Sequence, residues 1–419
     1  MSAPLLRRVA PADARGRASS AAVDESAAGA AAIVADVRRR GESALLEHAA
    51  RLGDWTPGTP WLHHRAALRD ALDQLDSPTR MLLERTATRI GHFATAQRQS
   101  LGDLSVAVDG GRAGHSVVPM QRAGCYVPAG RFPLISSLLM TVVPARAAGV
   151  AEVWVATPRP GPLMLAAAAI AGASGVLAIG GAQAIAALAY GAGELAACDV
   201  VVGPGNRWVT AAKRCVAGDV AIDFLAGPSE LVIVADESAD PAIVASDLLA
   251  QAEHDADATT ILITTDATLP ARVEQALARQ LAGLPTAATA RAALRNGMAI
   301  VCDHNDEVIG VCDALAPEHL QLSVRDPAVL ATRLRNAGAL FLGERSAEVF
   351  GDYGVGPNHV LPTGGGARFT GGLSVLTFLR VRTWLELDNP ATVASDVAAL
   401  ARLEGLEGHA RAAEARASA

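Results

Sequence analysis

The sequence predicts an α/β protein with two Rossmann-like parallel-sheet modules, an N-terminal helical arm and a small helical C-terminal tail domain. From residue 124 onward, short β-rich runs alternate with alanine-rich helical runs, which is the order of a parallel sheet covered on both faces. Glycines mark the joins between these runs. The length of 419 residues exceeds one ordinary core and favours two or three domains.

The elements follow in chain order. Residues 1–20 form an arm with little core of its own, and residues 21–96 have a helical pattern interrupted by a proline-containing loop. Residues 106–118 alternate enough to predict a strand pair around Asp109. The predicted strands of the first series are 153–156, 176–179, 199–202 and 231–234, and those of the second series are 260–264, 299–301, 319–322 and 339–342. The tail from about residue 389 is helical and rich in alanine.

Composition excludes several classes of protein. The net charge of −7, with no basic block, argues against a nucleic-acid partner. The five cysteines include no CxxC pair, which predicts a reducing compartment, and the N-terminus has no apolar segment long enough for a signal peptide. A long uncharged stretch between Arg159 and Glu194 is broken by glycines, so we do not expect it to span a membrane. The expected location is the cytoplasm and the expected partner a small molecule.

One turn is suited to an anion. No GxGxxG fingerprint follows a first strand, but the run from Gly203 to Asn206 joins a strand to a helix. The free N–H groups of such a helix start could hold a phosphate or pyrophosphate. A plain βα turn explains the same residues equally well.

Several polar residues could form a metal or catalytic site. Gln251 and His254 lie three residues apart at the end of a predicted helix and therefore share one face. Imidazole and amide donors suit zinc only if further ligands come from elsewhere, and an ordinary polar helix end is the alternative. Glu318 and His319 stand side by side before a strand, and Asp352 lies in a glycine-rich loop.

Seven motifs occur in an order that resembles the histidinol dehydrogenase family, with the match running from about residue 124 to about 379. They are GCYVPAG (124–130), GGAQAIAAL (180–188), GPGN (203–206), AGPSE (226–230), QAEH (251–254), APEHL (316–320) and NHVLPT (358–363). The resemblance implies NAD-dependent, four-electron oxidation of L-histidinol to L-histidine through the aldehyde, in the last steps of histidine biosynthesis. It also implies a homodimer with shared active sites.

The resemblance further implies specific residues. One zinc ion per site would be bound by Gln251, His254, Asp352 and, from the partner subunit, His409. His319 would remove the alcohol proton, and Glu318 would activate the water that adds to the aldehyde. The residues implied for NAD are Tyr126, Gln183 and Asn206. Those implied for substrate are Ser229, Gln251, His254, His319, Asp352, Glu404 and His409. His359 lies in a strong motif but is interpreted as structural.

The resemblance also implies a division of the chain. The arm is 1–20, the substrate and zinc domain combines 21–122 with 231–378, the inserted NAD-binding domain is 123–230, and the tail is 379–419. Two departures from the familiar pattern, in the region 364–375 and in the Asp-Ala-Asp that follows His254, leave the substrate open. The alternatives are a relative that oxidises a different small polar alcohol at the same zinc site, and a zinc-dependent binding protein without turnover.

Overall fold

A computed structural model describes residues 4–14, 25–129 and 133–417. Its strands are β1 Arg7–Val9, β2 Leu62–His64, β3 Leu104–Val108, β4 Gly111–Pro119, β5 Arg122–Tyr126, β6 Glu152–Ala156, β7 Gly175–Leu177, β8 Val200–Val202, β9 Ala221–Ile222, β10 Glu230–Ala235, β11 Thr259–Thr264, β12 Met298–Val301, β13 His319–Ser323, β14 Ala339–Leu342 and β15 Leu379–Leu387.

The α-helices cover both sheet faces and form the N-terminal and C-terminal regions. They are α1 Pro11–Ala14, α2 Glu25–Arg40, α3 Glu42–Arg51, α4 Arg65–Asp73, α5 Ser77–Gln99, α6 Ile135–Ala148, α7 Pro162–Ala171, α8 Gly181–Tyr190, α9 Arg207–Val216, α10 Pro241–Ala252, α11 Leu269–Leu281, α12 Ala287–Leu294, α13 Asn305–Leu315, α14 Pro327–Ala331, α15 Glu348–Asp352, α16 Ala391–Leu403 and α17 Glu407–Ala417. Each of the strands predicted from the sequence overlaps one of the observed strands.

The first six-stranded sheet, sheet I, has the order β2-β7-β6-β5-β8-β9. Its pairings are parallel except at the edge, where β2 runs antiparallel to β7. Strand β8 shows why the runs are continuously apolar: Val200 and Val202 enter the core on one face, and Val201 enters the core on the other. Strands β6 and β7 are added on one side of β5, and β8 and β9 are added on the other side. The boundary between β5 and β8 is therefore the switch point of the sheet, where open α/β sheets bind ligands.

The second six-stranded sheet, sheet II, has the order β1-β12-β11-β10-β13-β14 and is parallel throughout. Separate apolar cores lie on its two faces. The two sheets confirm the predicted fold class of two parallel-sheet modules. A third, antiparallel sheet of order β15-β4-β3 contains the predicted strand pair around Asp109 and connects it to the C-terminal tail.

Two N-terminal assignments differ from the sequence-based division. Residues 1–3 and 15–20 of the expected arm lie outside the described residues, but β1 forms the edge of sheet II and Leu6 is buried in its core. Helices α2, α4 and α5 pack on helices of sheet I, and β2 pairs with β7. The helices that were assigned to the zinc domain therefore cover the other module. The apolar faces of these helices complete the two cores of sheet I.

The uncharged stretch between Arg159 and Glu194 is not one continuous helix. It forms α7, β7 and α8, and within the described residues no helix is both long and apolar enough to cross a bilayer.

Candidate active site

Three elements bring polar side chains to the amino end of strand β13. Helix α10 starts with Asp240 as its N-cap and Pro241 in its first turn, and it ends two residues before His254. Strand β13 begins at His319 and lies between β10 and β14. The short helix α15 ends at Asp352. The site therefore depends on one strand start and two helix ends that are far apart in sequence.

His319 is buried and has one free ring nitrogen. Its Nδ1 donates to the backbone carbonyl of Glu230 at 3.1 Å, which fixes the tautomer and leaves a lone pair on Nε2. Nε2 is buried without a hydrogen-bond partner among the described residues and lies 3.8 Å from Asp352 Oδ1. Burial lowers the pKa of His319 to about 3, so the ring is neutral near pH 7. The geometry gives a neutral base aimed at the cluster.

Glu318 lies beside this ring. Its Oε2 accepts a hydrogen bond from the backbone nitrogen of Glu230 at 2.8 Å and lies 3.7 Å from His319 Nδ1. Burial raises the pKa of Glu318 well above its ordinary value, and the negative charges of Glu230 and Asp352 add to that effect. The first residue of β10 thus orients both members of the Glu318–His319 pair.

Gln251, His254 and Asp352 lie close together in the structure. His254 Nε2 lies 3.7 Å from Asp352 Oδ2. One terminal atom of the fully buried Gln251 amide is 2.6 Å from Glu348 Oε1 and 3.3 Å from His254 Nδ1, and the other is 3.1 Å from the backbone nitrogen of Glu230. With its nitrogen toward Glu348, the amide satisfies all these contacts within the protein. With its oxygen there, three electron-rich atoms surround one point.

That second arrangement suits a cation. His254, Glu348 and Asp352 each offer a ligand atom, and these atoms lie within 4.8 Å of one another. A mixture of imidazole nitrogen with carboxylate and amide oxygens is a donor set that zinc accepts. The residues present therefore fit a zinc ion, and three of the four ligands implied from the sequence lie in this cluster.

Glu348 is a member of the cluster that the sequence analysis missed. Its Oε1 lies 3.5 Å from His319 Nδ1, and its Oε2 is buried without a partner among the described residues. Burial and the nearby charges of Asp352 and Glu318 raise the pKa of Glu348 well above its ordinary value. The available signal was spacing, because an acid four residues before Asp352 falls on the same helical face.

The residues implied for NAD lie at the carboxyl end of sheet I. Tyr126 ends β5, and its hydroxyl accepts a hydrogen bond from the backbone nitrogen of Gly181 at 3.1 Å. Burial raises the pKa of Tyr126 to about 12, which keeps the phenol neutral. Gln183 is buried in the first turn of α8 and donates to Asp54 at 3.0 Å, while its Oε1 has no partner among the described residues. Asp54 was not predicted from the sequence.

Asn206 reaches the same edge from the other side of the switch point. It is the N-cap of α9, and its side chain accepts from the backbone nitrogens of Trp208 and Val209 at 3.0 and 3.2 Å. The preceding Gly203 follows β8, and a Cβ placed there would lie 2.0 Å from the carbonyl oxygen of Tyr126. The turn from Gly203 to Asn206 therefore packs directly against the end of β5.

Comparison with known proteins decides the family. A family model described as "Histidinol dehydrogenase" matches residues 16–417. The chain belongs to the histidinol dehydrogenase family. It is therefore an oxidoreductase.

Individual members of the histidinol dehydrogenase family agree over nearly the whole chain. The chain is 46% identical to the histidinol dehydrogenase of Thermus thermophilus, over 92% of this chain and 93% of the relative. It is 44% identical to that of Parasynechococcus marenigrum, over 92% and 90%. The crystal structure of histidinol dehydrogenase from Elizabethkingia anophelis superposes with a TM-score of 0.93 at 29% identity and covers 99% of both chains.

Within this histidinol dehydrogenase fold, His359 contacts protein groups through both ring nitrogens. Nδ1 donates to the backbone carbonyl of Asp352 at 2.8 Å, and Nε2 lies 3.3 Å from the Ser137 hydroxyl. These contacts agree with the structural role expected for His359, since they hold the end of α15. Ser229 immediately precedes β10, so it lies next in the chain to the residue that orients Glu318 and His319.

The tail residues lie apart from the cluster in this histidinol dehydrogenase chain. Glu404 and His409 are exposed on the hairpin of α16 and α17, whose helices pack against each other. Among the described residues, the metal-type group contains His254, Glu348 and Asp352 but not His409. One chain alone therefore brings together three of the four implied zinc ligands.

Proposed function

We propose that this enzyme oxidises L-histidinol to L-histidine, with two NAD molecules used in sequence, at a zinc site shared between the subunits of a homodimer. The observation that carries the proposal is the free lone pair of His319 Nε2, buried 3.8 Å from Asp352 and beside Glu318. A buried neutral base next to a second carboxyl and a set of zinc-type ligands is what removal of an alcohol proton followed by hydration of an aldehyde requires.

Zinc would be held by Gln251, His254 and Asp352 together with His409 of the partner subunit. When bound, it would supply positive charge that anchors the nitrogen atoms of the substrate and polarises its oxygen. The Gln251 amide fits this role because its oxygen can face Glu348 and His254 at the point where ligand atoms converge. The partner's Glu404 would hold the substrate ammonium, and Ser229 would contact the substrate beside β10.

The first oxidation depends on His319. Its Nε2 accepts the hydroxyl proton while the carbinol carbon loses a hydride to NAD, which serves as the electron acceptor. The backbone carbonyl of Glu230 holds Nδ1 and keeps Nε2 unprotonated beforehand. Asp352 Oδ1 lies 3.8 Å from Nε2, so in its ionised form this carboxylate stabilises the imidazolium that forms.

The second oxidation depends on Glu318. A water molecule adds to the aldehyde carbon, and Glu318 takes the proton that this water releases. Because its pKa is raised, the Glu318 carboxylate is a stronger base than an ordinary glutamate. The hydrate then loses its second hydride to a second NAD molecule. In total, one alcohol, one water and two NAD give one carboxylate, two NADH and three protons.

The NAD site would lie at the switch point of sheet I. Tyr126 and Gln183 would contact the cofactor on one side, and Asn206 on the other. The position is supported by the strand order, because the carboxyl ends of β5 and β8 border the place where the chain reverses direction. The buried Gln183 Oε1, which has no partner in the described structure, is available to a ligand donor.

The homodimer is supported by apolar surface that one chain leaves uncovered. Leu403 on the tail hairpin is 85% exposed, and Leu385 on strand β15 of the third sheet is 65% exposed. Val381 and Val106 on the same sheet are also exposed. Large apolar side chains exposed on one sheet and on the neighbouring tail are typical of an interaction surface, and a second copy of the chain is expected to cover them.

Location in the cytoplasm belongs to this proposal. The five cysteines form no disulfide, and four of them are buried as ordinary apolar residues, which agrees with a reducing compartment.

The deciding experiment measures NADH formed per molecule of L-histidinol consumed, before and after treatment with a chelator. We expect about two NADH per histidinol, loss of activity on chelation and recovery with zinc. A yield of one NADH would remove the role given to Glu318, since the aldehyde would then leave unhydrated. No NADH from histidinol in zinc-loaded protein would favour another polar alcohol or a binding protein.

A further inference from the structure

The turn that begins at Gly203 is held by a buried ion pair. Lys213 on α9 contacts the carboxylate of Asp223, which follows β9. Lys213 is 2% exposed and the Asp223 side chain is fully buried. Neither residue was singled out from the sequence, and neither touches the Glu318–His319 pair.

Both charged groups also bind the backbone of the same residue, Gly203. Asp223 Oδ2 accepts from the backbone nitrogen of Gly203 at 2.7 Å, and Lys213 Nζ donates to the carbonyl of Gly203 at 3.0 Å. The second carboxylate oxygen accepts from the backbone nitrogen of Phe224 at 2.7 Å. The ion pair therefore closes around one residue of the turn.

Gly203 is the residue whose conformation decides the shape of the turn. Its φ of +113° is strained for any residue with a side chain, and a Cβ would lie 2.0 Å from the carbonyl oxygen of Tyr126. Because both polar backbone groups of Gly203 are used inside the protein, any contact that the turn makes with a ligand must come from the groups of the residues that follow, 204–207. The ion pair thus sets where these groups lie relative to Tyr126 and Asn206.

A buried ion pair is a costly way to stabilise a fold. Removing two charges from water carries a large penalty, and apolar side chains of similar size often stabilise a core equally well. The pair is found beside the switch point of sheet I, where a parallel sheet binds its ligand. Its cost is explained if the gain is a fixed backbone geometry at that edge.

We infer that Lys213 and Asp223 are positioning residues for the dinucleotide. They act through Gly203 to hold the 204–207 backbone and Asn206 in the arrangement that NAD contacts. This inference rests on the proposed use of NAD at the sheet I edge. It adds that affinity for NAD depends on a charge pair that the dinucleotide itself does not touch.

The test uses a double substitution that leaves no lone buried charge. Lys213→Met combined with Asp223→Asn leaves one side-chain oxygen, which can accept from Gly203 or from Phe224 but not from both, and it removes the donation from Lys213 to the Gly203 carbonyl. Single substitutions would leave a buried charge unpaired and endanger folding. Leu139→Ala is the matched control, because it weakens the core of the same module from α6 without touching the turn.

The measurements are NAD binding by calorimetry and the KM and kcat for NAD and for histidinol, all on the full-length dimer. We expect the double variant to bind NAD about tenfold more weakly, with a similar rise in the KM for NAD, because one or two well-placed hydrogen bonds are lost. The KM for histidinol and the kcat at saturating NAD should stay within about twofold of the wild type.

Three results would overturn the inference. The double variant could bind NAD as tightly as the wild type, or Leu139→Ala could weaken NAD binding equally, or kcat could fall while the KM for NAD stays constant. Failure of the wild-type protein itself to bind NAD is a distinct result, since it would also remove the proposed function. A tenfold loss confined to NAD supports both.

Discussion

Mixing two inactive variants tests whether each site is built from two chains. In His254→Ala the ligand set is broken on α10, and in His409→Ala it is broken on the tail. His254 lies 3.7 Å from Asp352, whereas His409 is exposed on a hairpin outside that group. Each variant alone should therefore be inactive, for a different physical reason in each case.

The expected recovery follows from two-fold symmetry. When the two variants are denatured and refolded together in equal amounts, about half of the dimers are mixed. In a mixed dimer, one site receives both intact residues and the other receives both substitutions. About a quarter of all sites should therefore be complete, which gives about a quarter of the wild-type activity.

The assay is NADH production from histidinol, together with zinc content per chain after gel filtration. A control mixture of His254→Ala with Asp352→Ala should stay inactive, because both substitutions remove ligands that one chain supplies. No recovery from the first mixture, with mixed dimers shown to be present, would refute the shared site. The tail would then have to fold back onto its own chain.

Three further predictions concern single residues. His319→Asn should lower kcat by about a hundredfold to ten-thousandfold without changing the zinc content. Asparagine can still donate to the Glu230 carbonyl, but it has no basic nitrogen. A rate near that of the wild type would contradict the role of His319 as the base. Zinc affinity, measured by competition with a coloured chelator, should weaken as the pH falls through about 6, because burial raises the pKa of Asp352 to about 6 and a protonated carboxyl is a poor ligand. Asp352→Asn should reduce this pH dependence. A zinc affinity that does not change between pH 7 and pH 5 would count against the prediction. Gly203→Ala should lower the free energy of unfolding by about 2 kcal/mol or more and weaken NAD binding, because the new Cβ clashes with the Tyr126 carbonyl oxygen. Gly218 has a φ of +101° and open space around it, so Gly218→Ala should show the effect of backbone strain alone. Equal effects of the two substitutions would exclude a contribution from the clash with Tyr126.

Secondary structure could be predicted from the sequence because its signals are local. The apolar run of β8 is continuous since both faces of sheet I are buried, and Asp109-Gly-Gly marks a turn between two alternating segments. The proximity of Glu318 and His319 could be predicted because the two residues are neighbours in the sequence at the start of one strand. These features depend on a few consecutive residues.

The packing of elements that are far apart in the sequence was harder to predict. An amphipathic pattern shows that α4 or α5 has an apolar face, but it does not show which sheet that face covers. In the structure both helices pack on helices of sheet I. The edge strand β1 is three residues long and carries two arginines, so its pattern gives little sign of a strand. Lys213 and Asp223 look like surface charges in the sequence, and only the fold shows that they are buried together.

The Gln251 amide is fully hydrogen-bonded within the protein in only one of its two orientations. Turned one way it donates to Glu348 and accepts from Glu230, and turned the other way it offers its oxygen toward His254 and Glu348. A half-turn about one side-chain bond thus exchanges a hydrogen-bonded core for a ligand set. Without a metal the amide should therefore turn its nitrogen toward Glu348, and a metal that binds the cluster has to replace those hydrogen bonds.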